Sequence, residues 1–479
     1  MLSVRQGSRI QFRLATAVAA AKLASLATRA LGKGGGTALP GLVATRLHPG
    51  VVGALSQQLE RGSVVVSGTN GKTTTSRLLS AIFTASGNAP LHNHAGSNLM
   101  RGLASSMIDG ANFLGRLSPH SRSVGLFEVD EAALPEVLHV LQPARVLLLN
   151  LFRDQLDRYG EVATVARLWR EAILALSTTS TVIANADDPL IAEVVGERRS
   201  ATVLYFGIES GERQLQITEH ASDVKSCPHC GGKIAYDAVF LGHLGHYRCD
   251  SCRLRRPPPS TWASEVRLRG MEGSTFFLHT ADQAIAVTLP LPGLYNVYNA
   301  LAAAASAWSL GVTLPDIAAS LDGATAAFGR MESIEVEDRE IILALAKNPT
   351  GLNEVLRTVA EDLGKVHLLV MLNDNTADGH DVSWIWDADI EMLRERVAAV
   401  VFSGTRANDI ALRFKYAGLL DAGDLPQWRV ISDSRTALRE MLVLTPVGSR
   451  LYIIPTYTAL LDVRAVLTAS GYVKAYWKD

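Results

Sequence analysis

The stretch Gly62-Ser63-Val64-Val65-Val66-Ser67-Gly68-Thr69-Asn70-Gly71-Lys72-Thr73-Thr74-Thr75 leads from a β-branched run through Gly and Asn into an apolar-periodic segment beginning near Lys72. That order predicts strand, loop and helix. Such a loop aims several backbone N–H groups and a helix N-terminus at one point, the arrangement that holds a polyphosphate. Lys72 would then neutralise the β- and γ-phosphates, and the Thr73 hydroxyl would ligate magnesium. The generic phosphate-loop pattern puts Gly five residues before the Gly-Lys pair, where this chain has Val66, so the generic match is incomplete. A strand turning tightly into a capped helix would use Gly and Thr but has no need of Lys at the helix start.

The chain of 479 residues has room for roughly three folded units at about 150 residues each. Its 48% apolar and 19% charged residues are the balance of a packed protein, not a disordered one. With 46 Lys+Arg against 47 Asp+Glu the formal charge is −1, which removes any global electrostatic case for nucleic acid or an acidic membrane surface. No apolar run approaches the roughly 18 to 20 residues that span a bilayer, so the expected protein is soluble or at most peripheral. Residues 1–50 read as an Ala/Leu helical segment carrying Arg13, Lys22 and Arg29 and broken at Gly34, Gly35 and Gly36. These recurring charges leave no uninterrupted apolar core for a secretion signal. The segment is expected to pack on its own domain, with a surface-lying helix near a membrane as the other reading.

Two further segments make chemical sense alone. Glu128 closes the apolar run Val124 to Phe127, and the carboxyl ends of strands in a parallel α/β sheet face the ligand crevice, so its carboxylate could hold magnesium opposite Thr73. Asn296 starts an Ala-rich helix and by itself reads as an N-cap. Ser67 to Thr74 resembles the GTNGKT loop of the Mur ligase family, which departs from the generic pattern in just this way. Glu128-Val129-Asp130-Glu131, Asn150-Leu151-Phe152-Arg153-Asp154-Gln155-Leu156-Asp157 and Gly293 to Ala300 are similar to that family's acidic strand end, next strand end and adenine-side helix start. The resemblance implies that Gly68, Thr69, Asn70, Gly71, Lys72, Thr73 and Thr74 bind ATP. It also implies that Asn296 contacts the adenine and that Arg330, in Phe328-Gly329-Arg330-Met331-Glu332, meets nucleotide phosphate or links domains.

Cys227-Pro228-His229-Cys230 and Cys249-Asp250-Ser251-Cys252, separated by 18 residues, form two knuckles of a zinc ribbon, because a two-residue gap lets both thiolates of each turn reach one tetrahedral ion. His229 or His246 replacing one thiolate is a lesser variant. Four thiolates leave no open position for catalysis, so the site is read as structural. Paired cysteines in a large chain also point to a reducing, cytoplasmic location. Arg253, Arg255 and Arg256 run into Pro257-Pro258-Pro259 without an aromatic array, which argues against nucleic acid.

After Met331, apolar runs at Ile341 to Ala346, Val366 to Leu372, Val397 to Phe402, Val430-Ile431 and Leu451 to Ile454 alternate with helical patterns, predicting a second, largely parallel, Rossmann-like α/β domain. The segment Asn373 to Asp387, dense in carboxylates and amides, follows the strand Val366 to Leu372 and so lies at the sheet's carboxyl edge. Trp384 and Trp386 within it are expected to pack a core or interface. The expected domains are 1–50, a helical segment; 51–330, a Mur-type P-loop central domain with a ribbon inserted at 222–258; and 331–479, a C-terminal α/β domain.

The ribbon and this loop together, with Lys347-Asn348-Pro349 and Ser403-Gly404-Thr405-Arg406, resemble the MurT branch of the Mur ligase family. The resemblance implies ATP-dependent amidation of the D-glutamate α-carboxyl in the lipid II stem peptide, through an acyl phosphate, at the inner face of the membrane. ATP, Mg2+ and Zn2+ would be the cofactors, and a GatD-like glutaminase would be the partner that releases ammonia. The C-terminal domain would lend the glutaminase an Asp to orient its His, with Asp374 the first choice and Asp378 and Asp381 behind it. The alternatives are a folylpolyglutamate-type or Mur-type ligase adding an amino acid, a zinc-ribbon nucleic-acid-binding ATPase, and a nucleotide-binding scaffold without catalysis.

Overall fold

Val64, Val65 and Val66 sit in the middle of a strand, Ser63–Ser67, whose every residue is buried. It is flanked by parallel neighbours on both sides, Ser123–Glu128 and Arg145–Leu148. A central parallel strand is covered on both faces, which explains why it reads as a continuous apolar run instead of an alternation. The computed structural model describes residues 2–30, 39–93, 97–117, 122–154, 161–196, 198, 202–212, 222–326, 328–362, 364–420 and 427–473, with side chains described from residue 11 and not for 28–30. The expected break at Gly34 to Gly36 and the segment Gln155-Leu156-Asp157 lie outside these residues.

The first sheet has nine strands in the spatial order Ala284–Leu289, Ser274–His279, Thr261–Leu268, Val203–Ile208, Thr181–Asn185, Arg145–Leu148, Ser63–Ser67, Ser123–Glu128 and Ala89–His92. Its parallel part is doubly wound. Val64 and Val66 point into one core with Leu79, Phe83 and the Ala-rich helix Leu294–Ser309, while Val65 points into the other with Leu103, Leu134 and Trp169. Small residues from Ala300 to Ala307 let the helix Leu294–Ser309 approach the helix Lys72–Ala85 closely. The helix Leu2–Ala30 packs Leu14, Val18 and Ala21 into the second core, as the sequence leads one to expect.

A two-stranded hairpin, Ile234–Leu241 and Leu244–Cys249, is inserted between Val203–Ile208 and Thr261–Leu268. Arg256 ties its base to the sheet through Asp187 Oδ1 at 2.6 Å and Glu209 Oε1 at 2.6 Å.

The second sheet has the order Arg330–Val336, Arg339–Ala344, Arg450–Pro455, Val366–Met371, Val397–Ser403 and Gln427–Val430, parallel except for the first hairpin. Four of the five expected runs form strands, and the run Val430-Ile431 only touches one, since Gln427–Val430 ends at Val430. The antiparallel edge strand Arg330–Val336 is an addition to them, joined through Glu337 and Asp338, both at positive φ. Residues Ser383–Asp387 form a 3-10 turn, where Trp384 packs on the core and Trp386 stays half exposed against Tyr416.

Candidate active site

The carboxyl ends of Ser63–Ser67, Ser123–Glu128 and Arg145–Leu148 lie in register at one sheet edge, where Val66 pairs with Glu128 and Ser67 with Leu148. The loop Gly68 to Gly71 crosses this edge. Gly71, at φ 88°, starts the helix Lys72–Ala85, and a Cβ there would lie 2.1 Å from Asn299 Oδ1, so both conformation and space demand glycine. The loop is braced from Asn150: Thr69 N donates to Asn150 O at 3.0 Å, and Asn70 N donates to Asn150 Oδ1 at 2.9 Å.

Lys72 is buried and turns back on the loop, donating to Gly68 O at 2.5 Å and to Glu131 Oε2 at 2.8 Å. Burial would lower the ammonium's pKa, but Glu131, with Asp130 and Glu128, more than offsets it and holds it above the ordinary lysine range. Burial likewise pushes Glu131 up, and Lys72 and Lys347 reverse that, leaving its carboxyl below the usual range. Trp169 fixes the backbone here by donating Nε1–H to Glu131 O at 2.8 Å. Thr73 Oγ1 donates to Glu128 Oε1 at 3.1 Å, so the two expected magnesium ligands are brought together. Burial raises the Glu128 carboxyl against the opposing pull of Lys72 and Thr73, as for a carboxylate short of positive charge. A hydroxyl beside such a carboxylate is a donor set that fits magnesium.

The loop opens on a cleft between the first sheet and the second, lined by Asn70, Gly71, Thr73 and Thr74 on one side and by Arg330, Thr350 and Glu354 on the other. Tyr295, Tyr298 and Asn299 form one wall, and Leu241 and Leu244 from the hairpin tip form another. Arg330 makes no side-chain hydrogen bond or ion pair among the described residues, and burial lowers its pKa, so it is a cation with room for an anionic guest. Asn296 does not line the cleft. It is buried, donates to Pro292 O at 2.8 Å and accepts from Asn299 Nδ2 at 3.0 Å, while Asn299 faces the loop.

Three links join the halves of the cleft. Asn348 Nδ2 donates to Asn70 Oδ1 at 3.0 Å, Lys347 pairs with buried Asp154, and Arg153 pairs with Asp387 Oδ2 at 3.0 Å. Burial holds the Asp154 carboxyl above its ordinary value although Lys347 opposes this.

The three aspartates after Val366–Met371 have different surroundings. Asp378 is buried and accepts from Thr458 N at 2.8 Å and from its hydroxyl, so it anchors the start of the helix Tyr457–Ala469. Asp381 is exposed and accepts from Ser383 N at 2.8 Å, capping the 3-10 turn. Asp374 lies at the sheet edge, partly exposed, accepting from Thr405 Oγ1 at 2.8 Å and Arg406 Nη1 at 3.3 Å. The Thr405 hydrogen bond, helped by Arg406, holds its carboxyl below the usual range.

Cys227, Cys230, Cys249 and Cys252 are all free thiols whose sulfurs lie within 4.8 Å of one another. The pairs Cys227 with Cys252 and Cys230 with Cys249 are each 3.6 Å apart, close to the ~3.8 Å edge of a tetrahedron with ~2.3 Å Zn–S bonds. The donor set fits a zinc ribbon. His229 instead meets Glu193 at 3.2 Å and His246 meets Ile208 O at 2.8 Å, so neither belongs to the cluster.

Residues 66–247 match the Mur ligase middle domain, and residues 345–460 match the MurT ligase C-terminal family. The lipid II isoglutaminyl synthase (glutamine-hydrolyzing) subunit MurT of Staphylococcus aureus (strain N315) is 34% identical over 405 residues, spanning 84% of this chain and 87% of that protein. The chain belongs to the MurT family. The subunit of the same name from Streptococcus pneumoniae (strain ATCC BAA-255 / R6) is 31% identical over 442 residues, 92% of this chain and 94% of its own. As a MurT-family protein the chain is an enzyme, a ligase of the Mur type. Among solved structures, a pseudomurein peptide ligase type C from Methanothermus fervidus superposes with a TM-score of 0.65 at 23% identity, covering 87% of this chain and 80% of that one. MurF from Acinetobacter baumannii superposes at 0.62 with 19% identity over 88% and 80%. These two likenesses concern the fold.

Against this MurT-family background, the structure adds residues to which the sequence assigned no role: Glu131 as the partner of Lys72, Asn150 and Asn348 as braces of the loop, and Tyr295 and Glu354 as cleft walls. Glu131, Asn150, Tyr295 and Asn348 stand in segments that already carry the family resemblance, so proximity to the motif was a signal. Glu354 offered none.

Proposed function

We propose that this MurT-family chain uses ATP to amidate the α-carboxyl of D-glutamate in the lipid II stem peptide, with ammonia supplied by a GatD-like glutaminase. The observation carrying this reading is the presence in one chain of a Mur-type loop facing an interdomain cleft and, at the edge of the second sheet, the partly exposed Asp374. Relatives named as glutamine-hydrolyzing subunits support the choice of nitrogen source.

The triphosphate lies along the loop's N–H groups and the N-terminus of Lys72–Ala85. Lys72 exchanges Glu131 for phosphate, and Arg330 closes on it from the second sheet. Thr73 and Glu128 would hold magnesium, which would offset phosphate charge. A carboxylate oxygen of the substrate attacks the γ-phosphorus and ADP leaves, giving an acyl phosphate. Ammonia adds to the carbonyl carbon, a proton is lost, and phosphate departs carrying one former carboxylate oxygen. Asp374 completes the glutaminase by accepting the N–H of its His, which fixes the tautomer and stabilises the imidazolium. A lipid-bearing substrate implies work at the inner face of the membrane.

The test is turnover of lipid II labelled with oxygen-18 in the D-glutamate carboxyl, in the presence of the glutaminase, glutamine and ATP. One label is expected in the released inorganic phosphate for each amide formed. Unlabelled phosphate accompanying labelled product would sink the acyl-phosphate route.

A further inference from the structure

Over residues 11–27 the helix Leu2–Ala30 is apolar on two faces, and among the described side chains only one of them is packed. Leu14, Ala17, Val18 and Ala21 are buried, whereas Phe12, Leu23 and Leu26 are 71%, 60% and 54% exposed. Leu23 lies nine residues beyond Leu14, about two and a half turns at 3.6 residues per turn, and therefore on the opposite side. Phe12 lies eleven residues before Leu23, about three turns, and shares its side. A neighbouring turn adds Phe113 and Leu114, 52% and 65% exposed, with Lys22 Nζ 5.8 Å over the Phe113 ring. Single exposed apolar residues need no explanation, but a grouped set of large ones does.

The charge around this patch identifies what it meets. Residues 1–59 contain seven Lys and Arg and no Asp or Glu, in a chain whose overall charge is −1. Arg13 and Arg46 are exposed and Lys22 flanks the apolar strip. Among the described residues no helix is long and apolar enough to cross a membrane, so this helix can lie on a bilayer but not span it. The strip's own segment supplies cations and no acids, exposed Asp109 beside Lys22 belonging to the neighbouring helix; this balance suits an anionic lipid interface, where hydrocarbon burial and headgroup attraction act together.

We infer that the outward face of Leu2–Ala30, with Phe113 and Leu114, docks this protein on an anionic bilayer. This deepens the reading of a lipid-linked substrate, yet it can be tested without turnover. The full chain is sedimented with vesicles of phosphatidylglycerol and phosphatidylcholine, and with phosphatidylcholine alone, in the absence of nucleotide and lipid II. Binding is expected to the mixed vesicles and to fall at least about tenfold on pure phosphatidylcholine or in high salt. A triple variant, Phe12→Ser, Leu23→Ser and Leu26→Ser, is expected to lose binding at least tenfold. Charge reversal by Arg13→Glu with Arg46→Glu, which leaves the packed face alone, is expected to cost at least about 25-fold, at roughly fivefold per basic residue lost. Equal binding to neutral and anionic vesicles, or full binding by the charge-reversal variant, overturns the inference. So does a patch-dependent dimer that stays off vesicles, since a second copy would then be the occupant. Intact vesicle binding with no amidation would condemn the reaction and not the surface.

Discussion

Replacing Glu131 by Gln keeps the size of the side chain and removes the charge that holds Lys72 in the loop. Both partners are buried, with side chains 9% and 6% exposed at 2.8 Å. Removing one member of such a pair leaves an uncompensated buried cation, which costs about 3–5 kcal/mol. At about 2–4 °C per kcal/mol for a unit of 150–250 residues, the melting temperature is expected to fall by about 6–20 °C. Nucleotide then distinguishes the variant from the parent. In the parent the phosphates must draw Lys72 away from Glu131, whereas in Glu131→Gln they meet a cation that has lost its ion-pair partner and keeps only the weaker attraction of Asp130 and Glu128. Thermal unfolding with and without MgATP is therefore expected to show a larger ligand-induced shift in the variant. The pH dependence follows from the direction of each shift. Glu131 is held below its ordinary value, so its contribution is complete above the usual glutamate range and is lost as pH falls through the lowered native value. Lys72 is held above its ordinary value, so its contribution is complete below the usual lysine range and is lost as pH rises through the raised one. Glu131→Gln should abolish the acid limb that this carboxylate contributes. A variant that melts within a degree of the parent, or that gains no more from MgATP, would refute the ion-pair argument.

Asp374→Asn is expected to cut glutamine-driven amidation by two to four orders of magnitude while sparing amidation driven by added ammonia, measured by product mass in parallel assays. Equal losses in both would mean that Asp374 holds up the fold and not the glutaminase. Gly71→Ala forces a Cβ to within 2.1 Å of Asn299 Oδ1 at a positive φ, so nucleotide affinity by calorimetry should fall at least tenfold. Thr73→Val should raise the magnesium concentration needed for half-maximal ATP hydrolysis, with little change in melting temperature. Cys227→Ser should release zinc, counted by elemental analysis, and lower the soluble yield.

The loop was legible because Gly and Lys at fixed offsets serve a local geometry, and the parallel strands were legible because burial on both faces erases alternation. The four cysteines announced their meeting by spacing alone. Other features depend on partners far along the chain. Lys72 and Glu131 are 59 residues apart, and Asn70 and Asn348 are 278 apart, so no pattern around either residue names the other. The aspartates after Val366–Met371 separate only in three dimensions, where Thr458 claims Asp378 and Thr405 with Arg406 orients Asp374. Asn296 lies inside the first turn of Leu294–Ser309, where its amide bonds Pro292 O and Asn299, and Asn299 forms the cleft surface beside it. The antiparallel strands Thr261–Leu268, Ser274–His279 and Ala284–Leu289 at one end of the first sheet alternate along one face, but their half-exposed pattern is weaker than that of a fully buried strand.

The inserted hairpin reaches from the thiolates at one end to Leu241 and Leu244 in the cleft wall at the other, about 24 Å at the rise of an extended strand of eight residues. An ion at the sulfurs would therefore brace the same hairpin whose tip walls the cleft. Where such bracing changes the affinity for nucleotide, nucleotide must change the affinity for the ion by the same factor.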